Sequence, residues 1–120
     1  MDYLRVKEEQ NELLNLMNKK KEELIEKKEE YDLCQAEYDN EYNLIILSEK
    51  SNNSEATIAD LKAMALTKSY PLKMKVIKAN SIYLRAKEDY KDLERRYETK
   101  MEDSRMARNE LKHFNYGDQK

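Results

Sequence analysis

The residues best suited to chemistry in this chain are basic side chains in a stretch that contains no acid. Between Leu61 and Lys87 there is no Asp or Glu. The basic residues of the stretch are Lys62, Lys68, Lys73, Lys75, Lys78, Arg85 and Lys87. The chain as a whole is 40% charged and carries a net charge of −2. Because concentrated positive charge attracts anions, and nucleic acid is the commonest anionic partner, the stretch predicts an anion-binding surface.

Two interpretations of this basic stretch remain open. In the first, its lysines pair with the acids of the preceding helix or of a partner subunit. In the second, they are unpaired and bind phosphate, while Tyr70 stacks on an exposed base, as in many proteins that bind single strands. The residues predicted for this nucleic-acid site are Lys62, Lys68, Tyr70, Lys73, Lys75 and Lys78.

Other chemistry has weaker support. The acids between Glu22 and Glu41 are typical of a solvated helix face. Glu110 and His113 form one Glu-x-x-His element, but di-iron bundles need that element twice, and this chain has one His. Cys34 falls at a helix seam position, where a small packed side chain is the usual role. The single Gly excludes a glycine-rich phosphate loop. We expect no catalytic residues, no metal and no cofactor.

The composition predicts an all-α protein. Glu, Lys, Leu, Ala, Met and Arg are abundant and favour helices, whereas the chain has only one Gly and one Pro. The single cysteine cannot form an intrachain disulfide, which fits a reducing compartment. The N-terminus lacks the apolar core of a signal peptide, and no apolar run approaches the length of a membrane span. These features predict a cytoplasmic protein that does not contact membranes.

We predict a single helical domain with three helical segments. A long acidic helix covers residues 1–50 and ends at the polar residues 51–54, which favour turns and caps. A short tip helix covers 54–68, capped by Ser54 or Thr57, and ends before Pro71. A second long helix covers 71–114, because proline suits the first turn of a helix. Residues 115–120 form a frayed tail.

Seven-residue repeats run through both long segments and predict a coiled-coil seam. We expect the two helices to form an antiparallel hairpin, although one bent and continuous rod fits the same repeats. A register in which paired residue numbers sum to 124 places Tyr38 opposite Ala86, and registers shifted by seven fit as well. The residues predicted for the hairpin or oligomer seam are Tyr31, Cys34, Tyr38, Tyr83, Ala86, Tyr90, Leu93 and Tyr97.

A two-helix hairpin buries little apolar surface, so self-association is expected. Apolar residues lie off the seam and indicate a second seam, most simply that of a dimer forming a four-helix bundle. These off-seam residues include Leu14, Leu16, Ile25, Leu33, Tyr42, Leu84, Met101 and Met106.

The segment of residues 65–97, which reads ALTKSYPLKMKVIKANSIYLRAKEDYKDLERRY, resembles small helical proteins of bacteriophage replication and recombination modules. The shared pattern is a basic turn followed by a helix with Tyr and Ala-Lys at heptad spacing. Among characterised families the segment is similar to the UvsY-type recombination mediators. The resemblance implies an oligomeric helical protein that binds single-stranded DNA and helps to load a recombinase.

Two functional hypotheses follow from the sequence. The first is a non-catalytic helical accessory protein that binds single-stranded nucleic acid through the basic stretch, in phage-type recombination or replication. The alternative is an adaptor or inhibitor that binds only another protein through its seam or tip. Response to salt separates them, because phosphate contacts weaken steeply as salt rises.

Overall fold

The computed structural model of the chain describes residues 2–118, with side chains as far as residue 113. Two helices account for nearly all of them: α1 is Tyr3–Asn52 and α2 is Ile58–Asp118. The prediction of an all-α helical hairpin is therefore confirmed. The predicted tail begins inside α2, which continues to Asp118, while residues 119 and 120 lie outside the described part.

Side-chain caps define the starts of both helices. The Asp2 carboxylate accepts a hydrogen bond of 3.1 Å from the backbone N–H of Leu4, which satisfies one free donor of the first turn of α1. In the same way the Thr57 hydroxyl accepts a hydrogen bond of 3.1 Å from the backbone N–H of Asp60 at the start of α2. Between the helices, the Asn53 side chain accepts from the N–H of Glu55 at 3.3 Å and shapes the turn. Thr57, rather than Ser54, is thus the cap of α2.

The predicted boundary at Pro71 is wrong: residues 58–68 of the predicted tip helix of 54–68 are part of α2, and residues 54–57 lie in the turn before it. Pro71 lies inside α2 and is exposed. It has no N–H for the carbonyl of Thr67, but on the exposed side of a helix water can satisfy that carbonyl. Just before it, the hydroxyls of Thr67 and Ser69 donate back to the carbonyls of Ala63 and Ala65. The helix continues through the proline without interruption.

The chain divides into two compact units. Unit 1 joins α1 as far as Leu24 to α2 from Ala86 onward, and unit 2 is Ile25–Arg85 with the turn between the helices. Within each unit the helices are antiparallel. In unit 2, Glu49 contacts Lys68 and Tyr31 contacts Tyr83. In unit 1, Lys20 contacts Asp89 and Glu9 contacts Lys100.

The core of each unit is narrow and rich in small side chains. The buried apolar residues of unit 1 are Val6, Ala86 and Ala107, and those of unit 2 are Tyr38, Leu61, Ala65, Val76 and Ala79. Most fall at the predicted heptad positions, where alternate spacings of three and four residues keep one face of a helix inward. On the first turns of α2, Leu61 and Ala65 face inward, whereas Ile58 and Met64 are exposed.

The predicted register is wrong. Tyr31 stacks on Tyr83 rather than facing Leu93, with ring centroids 6.3 Å apart and planes 9° apart. Tyr97 contacts Gln10 instead of Lys27. The cause is the tip: α1 ends at Asn52 and α2 begins at Ile58, so the short turn fixes which residues meet. The predicted tip helix would lengthen the connection between the two long helices, and it would therefore move every pairing along α2.

The seam of α1 also changes its spacing after Tyr38. The heptad predicts Glu41 and Ser48 on the inner face, but both are exposed, and Tyr42 and Glu49 are half-buried instead. Two successive spacings of four residues, from Cys34 to Tyr38 to Tyr42, replace the alternation of four and three. Such an insertion locally unwinds a coiled coil. The α2 helix carries the same feature in this unit at Leu61, Ala65 and Ser69, which are all buried.

Candidate nucleic-acid interface

The predicted nucleic-acid residues all lie on α2 within unit 2, between Leu61 and Arg85. Successive residues of an α-helix are about 100° apart around its axis, so the residues of a stretch this long point in all directions. The basic side chains therefore separate into those near α1 and those on the outer surface. Their contacts decide which of them can meet a ligand.

Lys68 is paired within the chain. Its ammonium group forms a salt bridge with the Glu49 carboxylate near the end of α1. The expectation that all lysines of the tip are unpaired is therefore wrong at this position. The residue that could have predicted this pairing is Glu49, an isolated acid near the end of α1. The short connection between the helices brings it beside Lys68.

Lys73 lies over an aromatic ring. Its Nζ is 4.9 Å from the centroid of the Tyr38 ring, which is buried in the seam. This distance is within the range of a cation–π interaction. The stem of Lys73 is half-buried, so part of this residue belongs to the packing of the two helices.

The remaining lysines of the predicted site are free. Lys62, Lys75 and Lys78 are exposed, and none has a salt bridge or hydrogen bond among the described residues. Arg85 has the same properties and was missing from the predicted site. The sequence contained the information needed to include Arg85, because Arg85 belongs to the same acid-free stretch.

Three of the free basic residues form a row beside an apolar surface. Helical geometry places Lys75, Lys78 and Arg85 within about 80° of arc on the outer side of α2. Tyr70 is exposed, but it lies on the neighbouring arc together with Leu66 and Met74, which are also exposed. Tyr70 therefore belongs to an apolar surface that borders the basic row.

The predicted seam residues are divided between the two units. In unit 2, Tyr38 is buried, and Tyr31, Cys34 and Tyr83 are half-buried. In unit 1, Ala86 is buried, and Tyr90, Leu93 and Tyr97 are half-buried. Among the described residues, the tyrosines of the two helices meet at one place, the Tyr31–Tyr83 stack.

This tyrosine stack carries a lysine. Lys28 Nζ is 5.2 Å from the centroid of the Tyr31 ring and 5.6 Å from that of Tyr83. Asp32 accepts a hydrogen bond from the same ammonium at 2.8 Å. That hydrogen bond is the main reason why the pKa of Lys28 is raised. The lysine is therefore held charged over the stack, on the α1 side of unit 2.

Unit 1 carries a buried polar cluster instead of a basic row. The Gln10 side chain donates to the Tyr97 hydroxyl at 3.5 Å, a long hydrogen bond. Within the described residues, Gln10 Oε1 and the Ser104 hydroxyl are buried without a hydrogen-bond partner. Buried polar groups of this kind favour one pairing of helices over its seven-residue slips, because a slip would leave them against apolar side chains.

Ion pairs flank this polar cluster. Lys100 donates a hydrogen bond to Glu9 across the two helices of unit 1. The same bond lowers the pKa of Glu9 and raises the pKa of Lys100. Lys20 contacts Glu23 at 3.2 Å and Asp89 at 3.3 Å, and the hydrogen bond to Glu23 is the first cause of its raised pKa.

Metal and membrane sites are not evident in the described part of the chain. No group of three or more His, Cys, Asp or Glu side chains there could hold a metal ion. His113, half of the Glu-x-x-His element, is exposed near the end of α2. Neither helix, over its described residues, has a stretch long and apolar enough to cross a membrane.

Comparison with known proteins does not assign this chain to a family. No protein-family model, no curated protein and no solved structure gives a significant match to this chain. The resemblance of residues 65–97 to UvsY-type mediators therefore stays a prediction, and the function must be argued from the site.

Proposed function

We propose that this chain is a non-catalytic helical accessory protein that binds single-stranded nucleic acid through the outer side of α2, in phage-type recombination or replication. One observation carries the proposal: Lys62, Lys75 and Lys78 are exposed on an acid-free helical segment and have no ion-pair partner among the described residues. Free ammonium groups on a rigid helix can contact successive phosphates of a flexible strand.

The individual roles differ along the segment. Lys75, Lys78 and Arg85 line one side of α2 and would follow the phosphate backbone. Tyr70, on the neighbouring arc, would stack on a base. Lys68 and Lys73 would contribute less, because binding phosphate must compete with Glu49 and with the Tyr38 ring.

The test is binding of a labelled oligothymidine to the full chain across a salt series. Replacing Lys68, Lys73, Lys75 and Lys78 by Ala should abolish binding. The matched control replaces four exposed lysines elsewhere and has the same net charge; these are Lys19, Lys21, Lys91 and Lys112. Affinity should fall with salt at a logarithmic slope of about −0.7 for each phosphate neutralised.

Two pairwise variants sharpen this test. Replacing Lys75 and Lys78 by Ala should weaken binding at least about tenfold, which is the loss of about 1.4 kcal/mol of binding free energy. Replacing Lys68 and Lys73 should weaken it less. Equal binding by the wild type and all variants, or no binding of the wild type at low salt, would refute the proposal.

A second candidate function is supported by a different observation. Many large apolar side chains are exposed on both helices, and single surface residues of this type are normal whereas aligned ones mark interaction sites. The alternative is an adaptor or inhibitor that binds a protein and no nucleic acid. Its complex would depend on apolar contacts and would change little with salt.

A further inference from the structure

Unit 2 carries an apolar surface on the outer side of α2 that nothing in the chain covers. Five large side chains, each between 45% and 59% exposed, form what we term the α2 stripe: Leu66, Tyr70, Met74, Ile77 and Leu84. Their spacings of four, four, three and seven residues keep them within about 80° of arc. The stripe is about 27 Å long at 1.5 Å per residue.

Basic residues border the α2 stripe on both sides. Lys62 and Lys73 lie along one edge, and Lys78 and Arg85 lie along the other. An apolar stripe with charged borders is the arrangement that pairs with another helix in a coiled coil, where the border charges select the partner. The partner that fits is a helix with an apolar stripe and acidic borders.

The same unit contains a helix face with those properties. On the outer side of α1, four large side chains are between 52% and 67% exposed and form the α1 stripe: Ile25, Leu33, Leu44 and Leu47. They lie within about 100° of arc, which also contains Glu29 and Asn40, and they span about 33 Å, which is close to the length of the α2 stripe.

Acidic residues border the α1 stripe on both sides. Asp32 and Asp39 lie along one edge, and Glu26, Glu37 and Glu41 lie along the other. The three glutamates are exposed and have no hydrogen bond or salt bridge within the described residues. In residues 25–52 acids outnumber lysines eight to three, whereas in residues 58–85 basic residues outnumber acids six to one.

We propose that the α2 stripe of one copy of this chain binds the α1 stripe of a second copy. Apolar side chains would meet along the centre of the contact, and lysines and Arg85 would meet carboxylates along both borders. The attraction would rest mainly on the glutamate border of the α1 stripe, because Asp32 on the other border already pairs with Lys28.

The alternative pairing of like faces is disfavoured by charge. An α2 stripe against a second α2 stripe would bring Lys78 and Arg85 beside basic residues, and an α1 stripe against a second α1 stripe would bring carboxylates together. The contact is therefore heterologous, between different surfaces of the two copies. This proposal does not rest on nucleic-acid binding, but both use Tyr70, Lys78 and Arg85, so a bound strand and a second copy would compete for this side of α2.

The experiment is measurement of molar mass by light scattering and of the dissociation constant by sedimentation velocity, without nucleic acid. The wild type should be dimeric or larger. Replacing Ile77 and Leu84 by Ser keeps every charge and should raise the dissociation constant at least about tenfold. Circular dichroism verifies that the variant keeps its helices.

A charge-reversal pair identifies the surfaces. One variant carries Lys62→Glu, Lys78→Glu and Arg85→Glu, and the other carries Glu26→Lys, Glu37→Lys and Glu41→Lys. Each variant alone should be monomeric, and an equimolar mixture should associate again. In the mixture the unreversed α1 stripe of one variant meets the unreversed α2 stripe of the other, and the two reversed surfaces also carry opposite charges. The control Lys19→Glu, Lys21→Glu and Lys91→Glu should associate like the wild type.

The outcomes separate the two proposals. A monomeric wild type, or a mixture that stays monomeric, would overturn the self-association proposal, and the stripes would then serve a different protein. Salt-dependent binding of the oligothymidine by the Ile77→Ser, Leu84→Ser variant would leave the nucleic-acid proposal intact in that case. If the wild type self-associates but does not bind the oligothymidine, the nucleic-acid proposal is refuted and the self-association proposal stands.

Discussion

The two units of this hairpin distribute charge in opposite ways. In unit 1 both helices mix acids with bases, and the ion pairs Glu9–Lys100 and Lys20–Asp89 connect them. In unit 2 one helix is mainly acidic and the other mainly basic, yet only Lys68–Glu49 joins them as an ion pair among the described residues. Most charges of unit 2 face outward, where they remain available to a partner.

The comparison shows why opposite charge within one unit does not ensure neutralisation. The seam of unit 2 is filled by Tyr38, Leu61, Ala65, Val76 and Ala79, so the charged side chains must lie on its flanks and outer faces. Unit 1 instead places charged residues beside its seam and polar ones within it. Unit 1 is thus suited to fix the pairing of the helices, whereas unit 2 leaves most of its charges exposed.

The largest gain in stability should come from replacing Pro71 in unit 2. Replacing Pro71 by Ala supplies an N–H for the Thr67 carbonyl and removes the clash of the proline ring. The free energy of unfolding should rise by about 1–3 kcal/mol, somewhat less than the helix propensity difference because Ala has more freedom in the unfolded chain. Urea denaturation measures this change. An unchanged or lower stability would show that proline has a favourable role at this point.

A matched pair of core substitutions compares the packing of the two units. Ala65 in unit 2 and Ala107 in unit 1 are almost completely buried. Replacing either by Leu should cost about 1–3 kcal/mol, because extra methylene groups must push the helices apart. Chemical denaturation of each variant checks this. A neutral result at one site alone would identify the unit that has room to repack.

A substitution in the polar cluster of unit 1 should change the free energy of unfolding less than the core substitutions do, and it should raise it rather than lower it. Gln10→Leu removes a buried oxygen that lacks a partner and should stabilise the hairpin by about 1 kcal/mol. The same change should loosen the register, since Leu tolerates the seven-residue slips that Gln10 opposes. Disulfide trapping of neighbouring and slipped cysteine pairs measures the register. If only the native pair forms in the variant, the turn alone fixes the register.

The smallest effect concerns pH. Since the hydrogen bond from Lys100 lowers the pKa of Glu9, the stabilisation is present above the ordinary glutamate pKa and is lost as pH falls through the lowered value. Since the pKa of Lys100 is raised, its contribution is present below the ordinary lysine pKa and is lost as pH rises through the raised value. Thermal melting of Glu9→Gln should therefore lack part of the acid-side decline. An identical profile for wild type and variant would assign no role to the pair.

Much of the candidate site followed from the sequence, and its details did not. The acid-free stretch identified Lys62, Lys75 and Lys78 as available cations, and the structure leaves them exposed without partners in the part it describes. The contacts of Lys68 and Lys73 depended on which α1 residues face them. The spacing of residues within α2 does not show which residues of α1 lie opposite them.

The sequence by itself determined the helical class, the end of α1 and most of the inner faces, because propensity, caps and the heptad act over short distances along the chain. Only the tertiary structure decided that α2 passes through Pro71, that Tyr31 meets Tyr83, and that Tyr42 replaces Glu41 on the inner face. These depend on the pairing of distant residues. Heptads repeat every seven residues and therefore fit several registers equally, so a short turn and the packing of both helices had to select one.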